Sequence, residues 1–280
     1  MTDRNQENAE ATSGGRAVGR VRGSSGPERR PDPLVVVADP TALAREAAEQ
    51  CAKIAEEAVA RSGRFTIVLS GGSSPTLLYS VLAAEPYRTR LPWRRTTVFW
   101  GDERPVPPTH PDSNVGMARA TLLDRVPIPA DRVHRMKAER EDLDAAAHEY
   151  QAEIAGTFEV SPSGDPPAFD LILLGLGADG HTASLFPHTE AVRETLRWVL
   201  RNHVAKHRTD RLTLTAPILN QGANVLFLVT GAEKAAALQG VLEGPADPER
   251  LPAQLIRPVA GRLVWLVDRP AASRLESRLE

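Results

Sequence analysis

Two patterns of apolar residues alternate along this chain. Nearly unbroken apolar runs at Leu34–Ala38, Arg64–Ser70, Thr96–Glu103, Phe169–Leu174, Asn224–Gly231 and Arg262–Asp268 predict strands, because a strand covered on both faces has no polar side to alternate with. Between the first two, Leu43, Ala47, Ala48, Cys51, Ile54, Ala55 and Ala58 recur at three- and four-residue spacing. Asp39 as N-cap and Pro40 as first helical residue precede them, so a helix is expected from Pro40 to about Arg61. Further helices are expected from about Pro75, from about Asn114, over Leu143–Phe158 and from near Lys234, with shorter strands at Arg132–Met136 and Arg211–Thr215 and a loop over Ser161–Pro167. Strands alternating with helices predict an α/β fold, a mostly parallel sheet with helices on both faces.

Composition adds a boundary. Met1 to about Pro33 has no aromatic residue and is rich in Gly, Ser, Arg and Glu, too little apolar surface to order itself. The expected organisation is a disordered tail over residues 1–33 and a single α/β domain over residues 34–280. The formal charge of −2 over 280 residues gives no reason to expect nucleic-acid binding, and the tail arginines Arg16, Arg20, Arg22, Arg29 and Arg30 are interspersed with Gly, Ser and acids. No apolar run approaches the roughly 20 residues that span a bilayer, and no secretory pattern opens the chain, so a cytoplasmic protein with no membrane partner is expected. Cys51 is the only cysteine, which excludes an internal disulfide and a cysteine metal cage. The seven histidines show no H-E-x-x-H or other compact ligand spacing, so no metal is expected.

Chemistry concentrates in turns that follow predicted strands. Gly175, Gly177 and Gly180 free a turn that presents Asp179 and His181 directly after the Phe169 strand. They also spell G-x-G-x-x-G, but Pro187 interrupts the long helix a dinucleotide site needs, and no second strand ending in an acid follows. Taken alone, an Asp-Gly-His is better read as Asp179 capping a helix that begins at Gly180 or His181, with an ordinary surface histidine; other segments of the chain argue against that. Ser70–Leu77 (SGGSSPTL) sets Gly71, Gly72 and Ser73 before a helix, so N–H groups, hydroxyls and the helix dipole all favour an anion, naturally a phosphate. It lacks the spacing and the lysine of a P-loop. Trp100–Pro108 (WGDERPVPP) offers Asp102, Glu103 and Arg104, carboxylates for sugar hydroxyls and a guanidinium for a phosphate or an oxyanion. Arg211 and Lys234 are cations at the edges of later elements.

Together these segments, in this order, resemble the glucosamine-6-phosphate isomerase and 6-phosphogluconolactonase superfamily, and within it the lactonase branch; GLGADGHTASLFP and DERPVP are the specific ones. The resemblance implies a modified Rossmann-like, isomerase/lactonase-like fold and hydrolysis of 6-phospho-D-glucono-1,5-lactone in the oxidative pentose phosphate pathway, with no cofactor. It matches His181 to the family's catalytic histidine and the SGGSSP turn to its phosphate-side loop. It likewise matches Arg211 and Lys234 to cations that hold the sugar phosphate, and places Asp102 and Arg104 at the reacting end. On this reading His181 is the base, Arg104 stabilises the oxyanion, and Asp179 shapes the loop or orients polar neighbours. The expected partner is a small phosphosugar lactone, bound by a monomer or small homo-oligomer. The alternatives are the isomerase/deaminase branch, whose supporting glutamate would fall at Phe186 and whose DEY is DER here, and a non-catalytic sugar-phosphate sensor, which would carry a helix-turn-helix ahead of this fold.

Overall fold

The computed structural model describes residues 33–276. The tail expected over residues 1–33 lies, Pro33 excepted, outside the described residues. In chain order the first elements are β1 (Leu34–Val37), α1 (Pro40–Ser62), β2 (Phe65–Leu69), α2 (Ser73–Leu82), α3 (Tyr87–Arg90), β3 (Thr96–Trp100) and β4 (Asp102–Glu103). Next come α4 (Asn114–Thr121), α5 (Leu143–Phe158), β5 (Leu171–Gly175), α6 (Glu190–Arg193), β6 (Val199–Val204) and β7 (Thr209–Leu214). The chain closes with α7 (Ala216–Leu219), β8 (Asn224–Val229), α8 (Ala235–Leu242) and β9 (Arg262–Asp268).

The local signals act as their chemistry dictates. Asp39 accepts a hydrogen bond from the Ala42 N–H at 2.8 Å to start α1, and Gly63, at φ 74°, ends it with its N–H on the Val59 carbonyl. The small residues Ala44, Ala47, Ala48, Cys51, Ala52 and Ala55 are fully buried, so α1 packs with its backbone close to its neighbours.

Six parallel strands form the main sheet in the order β1-β9-β8-β5-β2-β3. Every residue of β2 and β3 is buried, and since successive side chains point to opposite faces, the sheet is covered on both. Its core includes Phe227 and Trp265 stacked 3.8 Å apart across β8 and β9. The connection from β2 runs outward to β3, whereas β5 pairs on the other side of β2 and later strands continue away from it. That reversal between β2 and β5 is the switch point of an open α/β sheet, where ligands bind beyond the carboxyl ends of the strands. The two glycine turns, one after β2 and one after β5, therefore emerge side by side.

Four expectations change. Thr96–Glu103 is two strands: β3 stays in the main sheet, and β4 joins β7 and β6 in a three-stranded antiparallel sheet. The break is Gly101, whose N–H bonds the Leu69 carbonyl while its own carbonyl accepts from Leu214. Arg132–Met136 is not a strand; a 3-10 turn ends at Arg132 and a single bridge joins Val98 to Val133. β6 was not foreseen, because Arg201, Asn202 and His203 interrupt its apolar pattern; Asn202 is nevertheless buried, with its amide on the Ser184 carbonyl and the Thr189 hydroxyl. Finally, the Gly175–Gly180 turn opens no helix, so Asp179 does not act as a cap there.

Candidate active site

His181 sits in a turn closed by hydrogen bonds from the Gly177 N–H to the His181 carbonyl and from the Gly180 N–H to the Gly177 carbonyl. Its Nδ1 lies 2.5 Å from Asp179 Oδ1, and the other Asp179 oxygen is 2.9 Å from Lys206 Nζ. A carboxylate only accepts, so Nδ1 carries a proton, and in the neutral ring Nε2 is then the lone-pair nitrogen. The hydrogen bond from His181, with the Lys206 ammonium, holds the Asp179 carboxyl well below the usual range. The imidazole stacks on Phe186 with ring centroids 4.1 Å apart.

The neighbouring turn is braced from beneath. Tyr79 OH donates to the Ser70 carbonyl and accepts from the Ser70 N–H, which fixes the start of the SGGSSP loop. Gly72 then takes φ 104°, a conformation that favours glycine, and α2 begins at Ser73. Ser74 Oγ is 2.7 Å from Thr230 Oγ1, tying this loop to the turn that carries Lys234. That turn is set in place by the Gly231 N–H, which donates to the buried carboxylate of Asp268 at the end of β9.

The acidic segment divides its labour. Asp102 is buried; its Oδ2 accepts from Ser184 Oγ at 2.7 Å and its Oδ1 from Asn114 Nδ2 at 3.2 Å. It thus joins the histidine turn to α4, and Asn114 in turn fills the space beside Gly71, where a Cβ would lie 2.0 Å from Asn114 Oδ1. Glu103 accepts from the N–H groups of Arg104, Asn114 and Val115 and from Ser113 Oγ. Burial pushes its carboxyl up from the ordinary value, while those backbone N–H groups pull the other way.

All these turns open on one cleft of about 350 Å³, lined by Gly71, Gly72, Ser73, Asp102, Arg104, His181, Arg211 and Lys234 among others. Asp179 stands behind His181 rather than on the cleft wall. Among the described residues, Arg104, Arg211 and Lys234 pair with no carboxylate; Arg104 donates to the Asp112 carbonyl, and Arg211 to Thr209 Oγ1 and the Asp210 carbonyl. Burial and the like charge of Arg104 push the Arg211 guanidinium below its ordinary pKa. A guanidinium whose charge is disfavoured by burial and by a neighbouring arginine, with a lysine nearby, makes a site that an anion relieves.

A sequence model of the family described as glucosamine-6-phosphate isomerases/6-phosphogluconolactonase matches residues 38–265. The chain belongs to this family. A 6-phosphogluconolactonase of Synechocystis is 47% identical over 219 residues, covering 78% of this chain and 88% of that protein. One from Nostoc is 42% identical over 240 residues, covering 86% and 97%. The solved structure of 6-phosphogluconolactonase from Trypanosoma brucei superposes with a TM-score of 0.76 at 32% identity, covering 88% of this chain and 99% of that one. The family's mostly parallel α/β architecture is the one described above.

The geometry brings every sequence-predicted site residue to the cleft or directly behind it. It adds residues that sequence reasoning missed. Asn114 and Ser184 lie inside the recognised segments, but their partnership with Asp102 is long-range. Lys206 and His207 sit on the turn between β6 and β7, and with β6 unforeseen nothing in the sequence pointed them toward His181.

Proposed function

We propose that this chain hydrolyses 6-phospho-D-glucono-1,5-lactone to 6-phospho-D-gluconate in the oxidative pentose phosphate pathway, with His181 as general base. The observation that carries this is the arrangement around the imidazole: Asp179 on Nδ1, Nε2 without a hydrogen bond among the described residues, and Phe186 against the ring face. A lactone is an activated ester, and its hydrolysis needs a base for water and positive charge for the carbonyl oxygen. His181 Nε2 takes the proton from water as the water oxygen bonds to the lactone carbon. Asp179 stabilises the imidazolium so formed, and Arg104 balances the oxyanion. The tetrahedral intermediate collapses by breaking the bond from that carbon to the ring oxygen, which receives the proton from Nε2. Arg211, Lys234 and the N–H groups near Gly72 and Ser73 hold the phosphate, so binding energy remote from the bond positions the carbonyl.

Phe186 supports lactone hydrolysis over aminosugar isomerisation, because it places a hydrocarbon face against the imidazole where that reaction wants a second acid. We further propose that residues 34–280 form a single domain that works in the cytoplasm as a monomer or small homo-oligomer, without cofactor, metal, nucleic acid or membrane. Among the described residues no helix is long and apolar enough to cross a membrane.

The test is the loss of the lactone, with its uncatalysed hydrolysis subtracted, for wild type and His181→Ala. The expected result is a large wild-type excess that falls about 100- to 10,000-fold in the variant, while 6-phosphogluconate still binds. No wild-type excess, with ammonia released from glucosamine 6-phosphate, would overturn it in favour of the isomerase branch.

A further inference from the structure

The antiparallel sheet sends one hairpin tip behind the base. β6 and β7 are joined by the 3-10 turn Ala205–His207, closed by Arg208 in the left-handed region at φ 50°. From this turn Lys206 Nζ reaches Asp179 Oδ2 at 2.9 Å, while Asp179 Oδ1 holds His181 Nδ1. Cation, carboxylate and imidazole thus stand in a row that begins outside the cleft: Lys206 is not among the residues that line it, although its neighbour His207 is, edge-on to Phe186 with centroids 5.4 Å apart.

We propose that Lys206 is a positioning residue that acts through Asp179 to set both the orientation and the proton affinity of His181. This rests on the reading of His181 as the base. With each carboxylate oxygen committed to a different partner, Asp179 cannot rotate without giving up one of them, so the imidazole plane is fixed from the far side. The electrostatic effect has a definite sign. An aspartate alone would draw a proton onto the imidazole and remove its basic nitrogen from use in mildly acidic solution. A lysine beyond it opposes that pull, because its charge sits on the other oxygen of the same carboxylate. The other charged or titratable groups that share the cleft with His181 are His207 on the same turn, Asp102 and Arg104 at β4, Arg211 on β7, and Lys234 ahead of α8. Among the described residues Lys206 makes no ion pair with any of them.

The experiment follows kcat and kcat/KM for the lactone from pH 5 to 7.5 in wild type, Lys206→Met, Lys206→Arg and His181→Ala. Lys206→Met is expected to move the acidic limb of kcat/KM upward by about half a pH unit at low salt and to lower the plateau several-fold, with KM within about twofold of wild type. Lys206→Arg is expected to restore the limb. Because the Lys206 side chain is 65% exposed, the displacement should shrink as salt is raised. A Lys206→Met limb that coincides with wild type, or a displacement that Lys206→Arg shares in full, would overturn the proposal. So would a raised KM with an unmoved limb, which assigns Lys206 to substrate instead. Lys206 lies on an exposed turn, and binding of 6-phosphogluconate by Lys206→Met checks that the cleft is intact. His181→Ala separates the two readings: an active His181→Ala removes the base itself, whereas an inactive one beside an unaltered Lys206→Met removes only the role of the lysine.

Discussion

At Gly177 a Cβ would stand 2.0 Å from His181 Nδ1 and 2.2 Å from its Cε1. The residue is glycine because the imidazole occupies the place of a side chain, not because the backbone there needs positive φ, which it does not adopt. Gly177→Ala should therefore keep the fold and displace the ring from Asp179, lowering kcat by about 100-fold; circular dichroism beside steady-state rates checks both halves. At this scale the sequence spoke clearly where a residue sits in a turn of unusual composition, as His181, Arg104 and Gly72 do. Asp102 was expected to receive substrate hydroxyls, and the structure shows both its oxygens already holding Ser184 and Asn114. Lys206 could not be found, since its meaning depends on Asp179, 27 residues earlier.

Among elements, α4 shows how a loop becomes a wall of the cleft. Its first turn is held by Glu103, which takes the N–H groups of Asn114 and Val115, while Ser113 Oγ takes that of Gly116. Glu103→Gln turns one acceptor into a donor that faces other donors. It should lower stability by about 1–3 kcal/mol in a denaturant titration, and it should weaken catalysis because Asn114 loses its alignment with Asp102. Helix and strand positions were legible because capping chemistry and apolar runs are local. The division of Thr96–Glu103 was not, because strand-forming residues run up to Trp100 and only a distant partner, β7, draws Asp102 and Glu103 into another sheet. Arg201, Asn202 and His203 concealed β6 for the complementary reason: Arg201 and His203 face solvent, and Asn202 is buried through hydrogen bonds rather than an apolar side chain.

Over the whole molecule, alternation of strand and helix made a parallel sheet legible, but strand order was not, and strand order is what sets the two glycine turns side by side. The resulting cleft holds three cations, Arg104, Arg211 and Lys234, that pair with no carboxylate among the described residues, so an anionic ligand should stabilise the fold by mass action. At 100 times its dissociation constant, 6-phosphogluconate should add about 2.7 kcal/mol, or roughly 5–10 °C in Tm for a domain of this size. Arg211→Ala should remove most of that rise at the same ligand concentration; thermal melts of both proteins decide it. Gly101 adds a mechanical consequence. One residue gives its N–H to the parallel sheet and its carbonyl to the antiparallel one, with bonds of 2.9 and 2.8 Å, so the sheets cannot part along that line without breaking one of them. Beside Asp102, which lines the cleft, the two sheets are riveted rather than hinged, so widening that admits a substrate or frees a product is expected from the loops.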